Sequence, residues 1–250
     1  MKPQIKHPWK NLTPQDAKKI QQKLLPLVKI RPLKDLSAIK KLAACDVSYR
    51  IKDDKIRAAV CIFEFPSLKL IEKISLSRSA RGLFPYIPGL LSFREIPPLI
   101  EVFDKIKNEP DALLMDGQGI AHPRAIGLAT HIGVIYGKIS VGCAKSHLWG
   151  DVKEYPRPDK GSYTFLYPTL DVSEKNFRKN KPRCVGNTII PDGKSQNPIG
   201  IVLRTREGVK PVFVSPGHLI DVEGAGDFVM SCVTKYRLPE PLRLAHQLTQ

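Results

Sequence analysis

Paired cysteines are missing from this chain. Its five cysteines, Cys45, Cys61, Cys143, Cys184 and Cys232, form no CxxC pair and are odd in number, so neither a disulfide framework nor a zinc site is expected. Cys45, Cys61 and Cys143 lie inside apolar runs, where a free thiol behaves as a small hydrophobe. Long apolar runs are missing too. None approaches the roughly 20 residues that span a bilayer. Lys, Gln and Pro interrupt the N-terminal stretch where a signal peptide would carry its apolar core. No membrane partner is expected, and a cytoplasmic location follows. No internal repeat or low-complexity block is present.

Acidic residues are scarce beside basic ones. Against 40 Lys and Arg stand 24 Asp and Glu, a net charge of +16. Such an excess says little about fold but favours a polyanionic partner, nucleic acid or an anionic membrane surface; a merely basic solvated surface is the plainer reading. Residues 1–45 hold eleven Lys and Arg against only Asp16 and Asp35, and Lys175, Arg178, Lys179, Lys181 and Arg183 form a second cluster. With 250 residues, 42% of them hydrophobic, the chain is long enough for one large α/β domain.

Thr13-Pro14-Gln15-Asp16 carries helix-start chemistry, with Thr13 as N-cap, Pro14 at the first helical position and an acid three residues after the cap. The stripe Ala17, Ile20, Leu24, Leu27 and Val28 continues at helical spacing until Pro32. Strands are predicted at Leu42–Tyr49, Ile56–Phe65 and Leu68–Leu76, an antiparallel meander with Asp53-Asp54 as a turn. Gly82, Pro85 and Pro88 mark a turn region, and Pro97-Pro98 is predicted to start a helix. A buried strand at Ala112–Asp116, a helix near Pro123–Ile132 and a strand at Ile139–Ala144 follow. That alternation argues for parallel pairing in this half. Residues 151–198 show no clear period and read as an elaborated loop or insert. Ile199–Thr205 and Pro211–Ser215 read as strands, and Asp221–Lys235 as a closing helix.

Three acids arrive from separate elements. Asp46 and Asp116 lie at or near the ends of apolar runs, where a carboxylate is costly without a cation or a full set of hydrogen bonds. Glu95 falls just before the expected helix, whose dipole favours the ionised form. Singly, each acid is as consistent with a cap or a surface ion pair. Jointly they suit magnesium, which takes hard oxygen ligands and assists phosphodiester hydrolysis. Lys145 suits a phosphate anchor or a snorkelling lysine. His218, in the expected turn Ser215-Pro216-Gly217-His218, is either a proton shuttle or metal ligand, or a satisfied surface histidine. Pro85-Tyr86-Ile87-Pro88 is a rigid tip suited to a wedge in a base stack, or to a turn packed on the core.

Taken together, Asp46-Val47-Ser48-Tyr49, Pro85 through Glu95, Asp116 through Arg124, Gly142-Cys143-Ala144-Lys145-Ser146, Ser215 through His218, and Tyr236 through Pro241 with Arg243, Ala245 and His246 resemble the endonuclease V family. The resemblance covers most of residues 40–150 and 199–248. It implies an RNase H-like mixed sheet flanked by helices in a single domain spanning 1–250. Residues 1–40 would be a basic N-terminal helix region and 151–198 an inserted loop. It also implies cleavage of the second phosphodiester 3′ to inosine in DNA repair, with Mg²⁺ (Mn²⁺ substituting), leaving 3′-hydroxyl and 5′-phosphate ends. Carried over by motif, Asp46, Glu95, Asp116, His218 and Lys145 are the catalytic set, with Asp46, Asp116 and Glu95 on the metal. Tyr86 is the wedge. Pro85, Ile87, Pro88, Gly89, Leu91, Gly117, Gly119 and His122 would form the substrate contacts. Ala44-Cys45 stands where the family has Gly-Val, and 151–198 matches poorly.

The expected partner is inosine-containing nucleic acid, met by a monomer. Three alternatives stand: an inosine-directed endoribonuclease, another RNase H-like structure-specific nuclease, and a protein that binds inosine or distorted strands without cutting.

Overall fold

Capping chemistry sets where the first helix begins. Asp16 N–H donates to Thr13 Oγ1 (3.2 Å) while Thr13 N–H donates to Asp16 Oδ2 (3.1 Å), a reciprocal capping box. Helix α1 then runs Pro14–Leu24 and buries Ala17, Gln21 and Leu24. The stripe expected to continue to Val28 tightens into a 3-10 turn at Leu25–Leu27, where Pro26 has no N–H to offer an α-helical bond. The protein is seen here as a computed structural model, which describes residues 1–33, 35–169 and 197–250.

Strands β1 (Lys41–Arg50), β2 (Lys55–Glu64) and β3 (Leu70–Ser79) form the predicted meander, with Asp46 opposite Ala59. After α2 (Ser92–Phe103), β4 (Ala112–Met115) lies parallel to β1. After α3 (Leu128–Tyr136), β5 (Ile139–Ala144) lies parallel to β4. Strands β6 (Asp151–Val152), β7 (Tyr163–Tyr167), β8 (Gly200–Leu203) and β9 (Val212–His218) extend the sheet antiparallel beyond β5. Among the described residues the strand order is β3-β2-β1-β4-β5-β9-β8-β7-β6. This is the mixed α/β architecture expected of an RNase H-like sheet.

Period-two alternation divides the core between the two faces. Ala43, Cys45, Leu113 and Met115 pack with Ile96, Leu99 and Ile135 of α2 and α3. Leu42, Ala44, Leu114 and Cys143 pack with α4 (Val222–Ser231) and α5 (Glu240–Thr249). Every position of β4 is buried, as a central parallel strand covered on both faces requires.

Several boundaries differ from expectation. Helix α2 begins at Ser92, so Pro97 and Pro98 lie inside it. Each proline forfeits a backbone donor, yet the helix persists because Phe93, Ile96, Leu99, Val102 and Phe103 are all fully buried. Helix α3 starts at Leu128, later than the predicted Pro123. Ser215–His218 is strand, not turn. The start of the expected insert supplies β6 and β7 to the sheet edge. The cluster at Lys175–Arg183, with Cys184, falls outside the described residues.

Candidate active site

Asp46 sits within β1, and alternation turns it toward the face that α5 covers. It is 5% exposed. Its Oδ2 accepts from the Thr249 hydroxyl and lies 3.2 Å from His246 Nδ1. Asp116 follows the last residue of β4, its N–H reaching Cys45 O at 3.3 Å. The β1–β4 pairing thereby brings the two acids side by side. Lys145, just past the end of β5, donates to Asp116 Oδ2 at 2.7 Å. Ligand atoms of Asp46, Asp116 and His246 lie within 4.8 Å of one another.

Glu95 lies in the first turn of α2 rather than before it. Burial, with the charges of Asp46 and Asp116 added, raises its carboxyl far above the usual range, and Arg94 opposes this only weakly. The helix dipole expected to favour the ionised form is thus outweighed by desolvation. Asp116 is raised as well, by burial first, with the Lys145 hydrogen bond and charge pulling the other way. Three carboxylates therefore share one poorly solvated volume, with Lys145 paired to Asp116 among the described residues. Mutual repulsion of this kind is what a bound divalent cation relieves, and the Asp/Asp/His donor set offers hard oxygens and an imidazole nitrogen. The residues fit a divalent metal.

His218 is not part of this cluster. It pairs with Ser140 at the start of β5, whereas Met115, the residue before Asp116, pairs with Gly142 farther along. Its Nδ1 accepts from Lys29 N–H at 3.2 Å. Burial, with Lys29 and Arg31 nearby, lowers its pKa to about 4. The histidine that does reach the acids is His246, two-fifths exposed on its side chain. The sequence pattern assigns it no site role, because the expected closing helix ends at Lys235, whereas the structure forms a further helix over Glu240–Thr249. Only α5, starting at Glu240-Pro241, carries His246 back across β1. A signal was present: Arg243, His246 and Thr249 recur every three residues, one face of a helix.

Beside the acids lies a cavity of about 320 Å³. Glu95, Asp116 and Lys145 border it on the acid side, and Leu91, Gly117 and His122 are also among its lining residues. Tyr86, 71% exposed, stands at its mouth with Pro88. The turn that follows Pro88 is tied down at one carbonyl. Gly89 O accepts from Arg124 Nη2 (2.5 Å), His122 Nε2 (3.0 Å) and Gln21 Nε2 (3.1 Å). His122 Nδ1 in turn accepts from Arg124 N–H (3.1 Å), which places the ring proton on Nε2. Burial and Arg124 lower its pKa to about 3, so the ring is neutral. Gly89 has φ +76°, and a Cβ there would lie 2.6 Å from Arg124 Nη2.

Not every predicted contact reaches the cavity. A Cβ on Gly119 would lie 2.1 Å from Pro216 O, so this glycine serves the close approach of its loop to β9. Ile87 packs on the apolar cluster of Phe84, Leu90 and Phe93. Pro85 is exposed and outside the lining.

Residues 22–247 match the family model for endonuclease V. The endonuclease V of Dehalococcoides mccartyi strain BAV1 is 40% identical over 242 residues, covering 96% of this chain and 93% of that protein. That of Methanothrix thermoacetophila is 36% identical, covering 97% and 93%. Among solved structures, Bacillus subtilis endonuclease V superimposes with a TM-score of 0.81 at 29% identity, covering 100% of this chain and 95% of that one. Ciona intestinalis endonuclease V, in complex with a 24mer DNA containing an inosine followed by a ribo-adenosine, gives 0.70 at 28% identity, covering 94% and 95%. With its acids converging beside a cavity on the same fold, this chain belongs to the endonuclease V family and is a nuclease.

Proposed function

We propose that the protein cleaves nucleic acid at the second phosphodiester 3′ to inosine, in DNA repair, with Mg²⁺ as the resident ion and Mn²⁺ able to replace it. The observation that carries this reading is the adjacency of two structures. A carboxylate cluster and a cavity with an exposed tyrosine at its mouth share Glu95, Asp116 and Lys145 as their border. The inosine-containing DNA bound by the Ciona relative supports the substrate class.

Capture begins on the basic surface and should weaken steeply with salt, since each phosphate contact releases counterions. Tyr86, at the tip of the Pro-rich loop, enters the base stack, and the cavity receives the extruded base. A volume near 320 Å³ lies at the small end of ligand sites. Hydrolysis then bonds a water oxygen to phosphorus and breaks the P–O3′ bond, leaving 3′-hydroxyl and 5′-phosphate ends. Asp46, Asp116 and His246 would hold the divalent ion, with Glu95 completing the acid set on the cavity side. When bound, the ion supplies positive charge against the phosphate and acidifies a coordinated water. Lys145 brings a second cation to the same place and keeps Asp116 oriented.

The test is strand cleavage with Mg²⁺ on matched DNA and RNA oligonucleotides carrying one inosine or one adenine, with the cut mapped. Cutting one bond past the inosine's own 3′ phosphodiester, in DNA and with no cutting of the adenine control, is expected. Equal cutting of inosine and adenine strands would instead mark a structure-specific nuclease, binding without cutting a recognition protein, and RNA cut in preference an endoribonuclease.

A further inference from the structure

The last turn of α5 is fastened to β1 at two points. Thr249, fully buried at 0% exposure, directs its hydroxyl at Asp46 Oδ2. Its carbonyl accepts from Ser48 Oγ at 2.6 Å. Asp46 and Ser48 are two apart on β1 and so share a face, the one α5 lies on. Neither Thr249 nor Ser48 belongs to the candidate donor set of Asp46, Asp116 and His246.

Asp46 Oδ2 has two neighbours of different character. His246 Nδ1, 3.2 Å away, belongs to the candidate donor set, and its contact with Asp46 must be given up when that nitrogen turns to an ion. The Thr249 contact need not change. A carboxylate's terminal torsion is broad and roughly two-fold, so a buried aspartate held only by His246 would lose its orientation as that contact breaks. The hydroxyl carries one proton, and two acceptors compete for it: the Asp46 carboxylate and His246 O at 2.9 Å. The charged acceptor is the stronger.

We propose that Thr249 is a positioning residue for Asp46, presetting its carboxylate for a divalent ion. The proposal rests on the metal-site reading above. Through it one helix supplies both a ligand, His246, and the group that aims another, so metal affinity is tied to the docking of the last turn of α5. The competing reading is a threonine that merely bonds back to its own helix at His246 O.

Mn²⁺ affinity of chelator-stripped full-length protein, measured by calorimetry or by the spin resonance of free Mn²⁺, separates the two. Thr249→Val keeps the shape and deletes the donor; it should weaken Mn²⁺ binding by about tenfold or more, the usual effect of losing a group that orients a metal ligand. Thr249→Ser should restore it. In cleavage, the Mn²⁺ concentration at half-maximal rate should rise by the same factor in the valine variant, with a smaller change at saturating metal. Ser48→Ala, which frees the Thr249 carbonyl and leaves the carboxylate alone, should weaken binding in the same direction by less, and serves if the valine variant folds poorly. Wild-type affinity in both Thr249→Val and Ser48→Ala, or a serine variant as weak as valine, overturns the assignment. Wild-type protein that binds no Mn²⁺ would remove the metal-site reading and this proposal together.

Discussion

The acid cluster and the cavity beside it are built by opposite means. The cluster is made of side chains brought from β1, α2, the end of β4 and α5, and charge dominates it: burial and mutual repulsion raise Glu95 and Asp116. One edge of the cavity is instead held through backbone, the Gly89 carbonyl fixed by a neutral histidine, an arginine and a glutamine from α1. Changes of charge should therefore damage the first, and changes of volume or aromatic surface the second.

Glu95→Gln gives the largest contrast. Cleavage should fall by a factor on the order of a hundred to a thousand, as when a group stabilising the transition state is lost. Inosine-strand binding should persist. Metal-free stability should move the other way. The folded carboxyl of Glu95 binds its proton more tightly than the unfolded one, so the stability it contributes is complete at low pH and is lost as pH rises from its ordinary 4.5 through the raised value. The glutamine variant should be the more stable at neutral pH, by thermal unfolding in chelator; equal or lower stability would contradict a repulsive cluster.

Tyr86→Ala tests the other half. The side chain is 71% exposed, so stability should hold. Loss of stacking worth about 1–3 kcal/mol should raise KM for inosine duplex by roughly tenfold or more and leave Mn²⁺ affinity unchanged. Gly89→Ala should act on both fold and selectivity. A positive φ costs a side chain about 1–2 kcal/mol, and the new Cβ displaces Arg124. Denaturant midpoints should drop and the inosine-to-adenine cleavage ratio should fall several-fold, again with metal affinity retained.

The smallest effect on activity is expected from His218→Gln. The residue is 5% exposed, with a pKa near 4 when folded against 6.5 ordinarily. Stability is complete above pH 6.5 and declines as pH falls toward 4, by up to roughly 3 kcal/mol from this one group. His122, lowered to about 3 for the same reason, adds to the acid sensitivity. The glutamine variant should lose less stability than wild type between pH 7 and pH 5 and cut normally at neutral pH. A hundredfold loss of cleavage would return His218 to the catalytic set.

Much of this molecule was legible in its sequence because it depends on neighbours along the chain. The Thr13–Asp16 cap, the three-strand meander and the apolar run of β4 ending in Asp116 all rest on local patterns. Helix α2 starts earlier than its prolines suggest because proline chemistry, a local signal, is overridden by the burial of Phe93 and Ile96. His218 stands out over His246 in the sequence for a related reason. A histidine in a Pro-Gly context resembles a functional turn, while α5 declares its role only when folded against β1.

The sequence by itself determined which acids are present, that Asp46 and Asp116 leave water with their strands, and that Tyr86 stands on a proline-stiffened tip. These follow from hydrophobic pattern and backbone restriction, which act over a few residues. Only the tertiary structure decided which histidine meets the acids, that Glu95 is driven toward its neutral form, and that Thr249 reaches Asp46 across 203 positions. Those outcomes depend on desolvation and on contacts between distant segments, quantities that exist only once the chain has closed on itself.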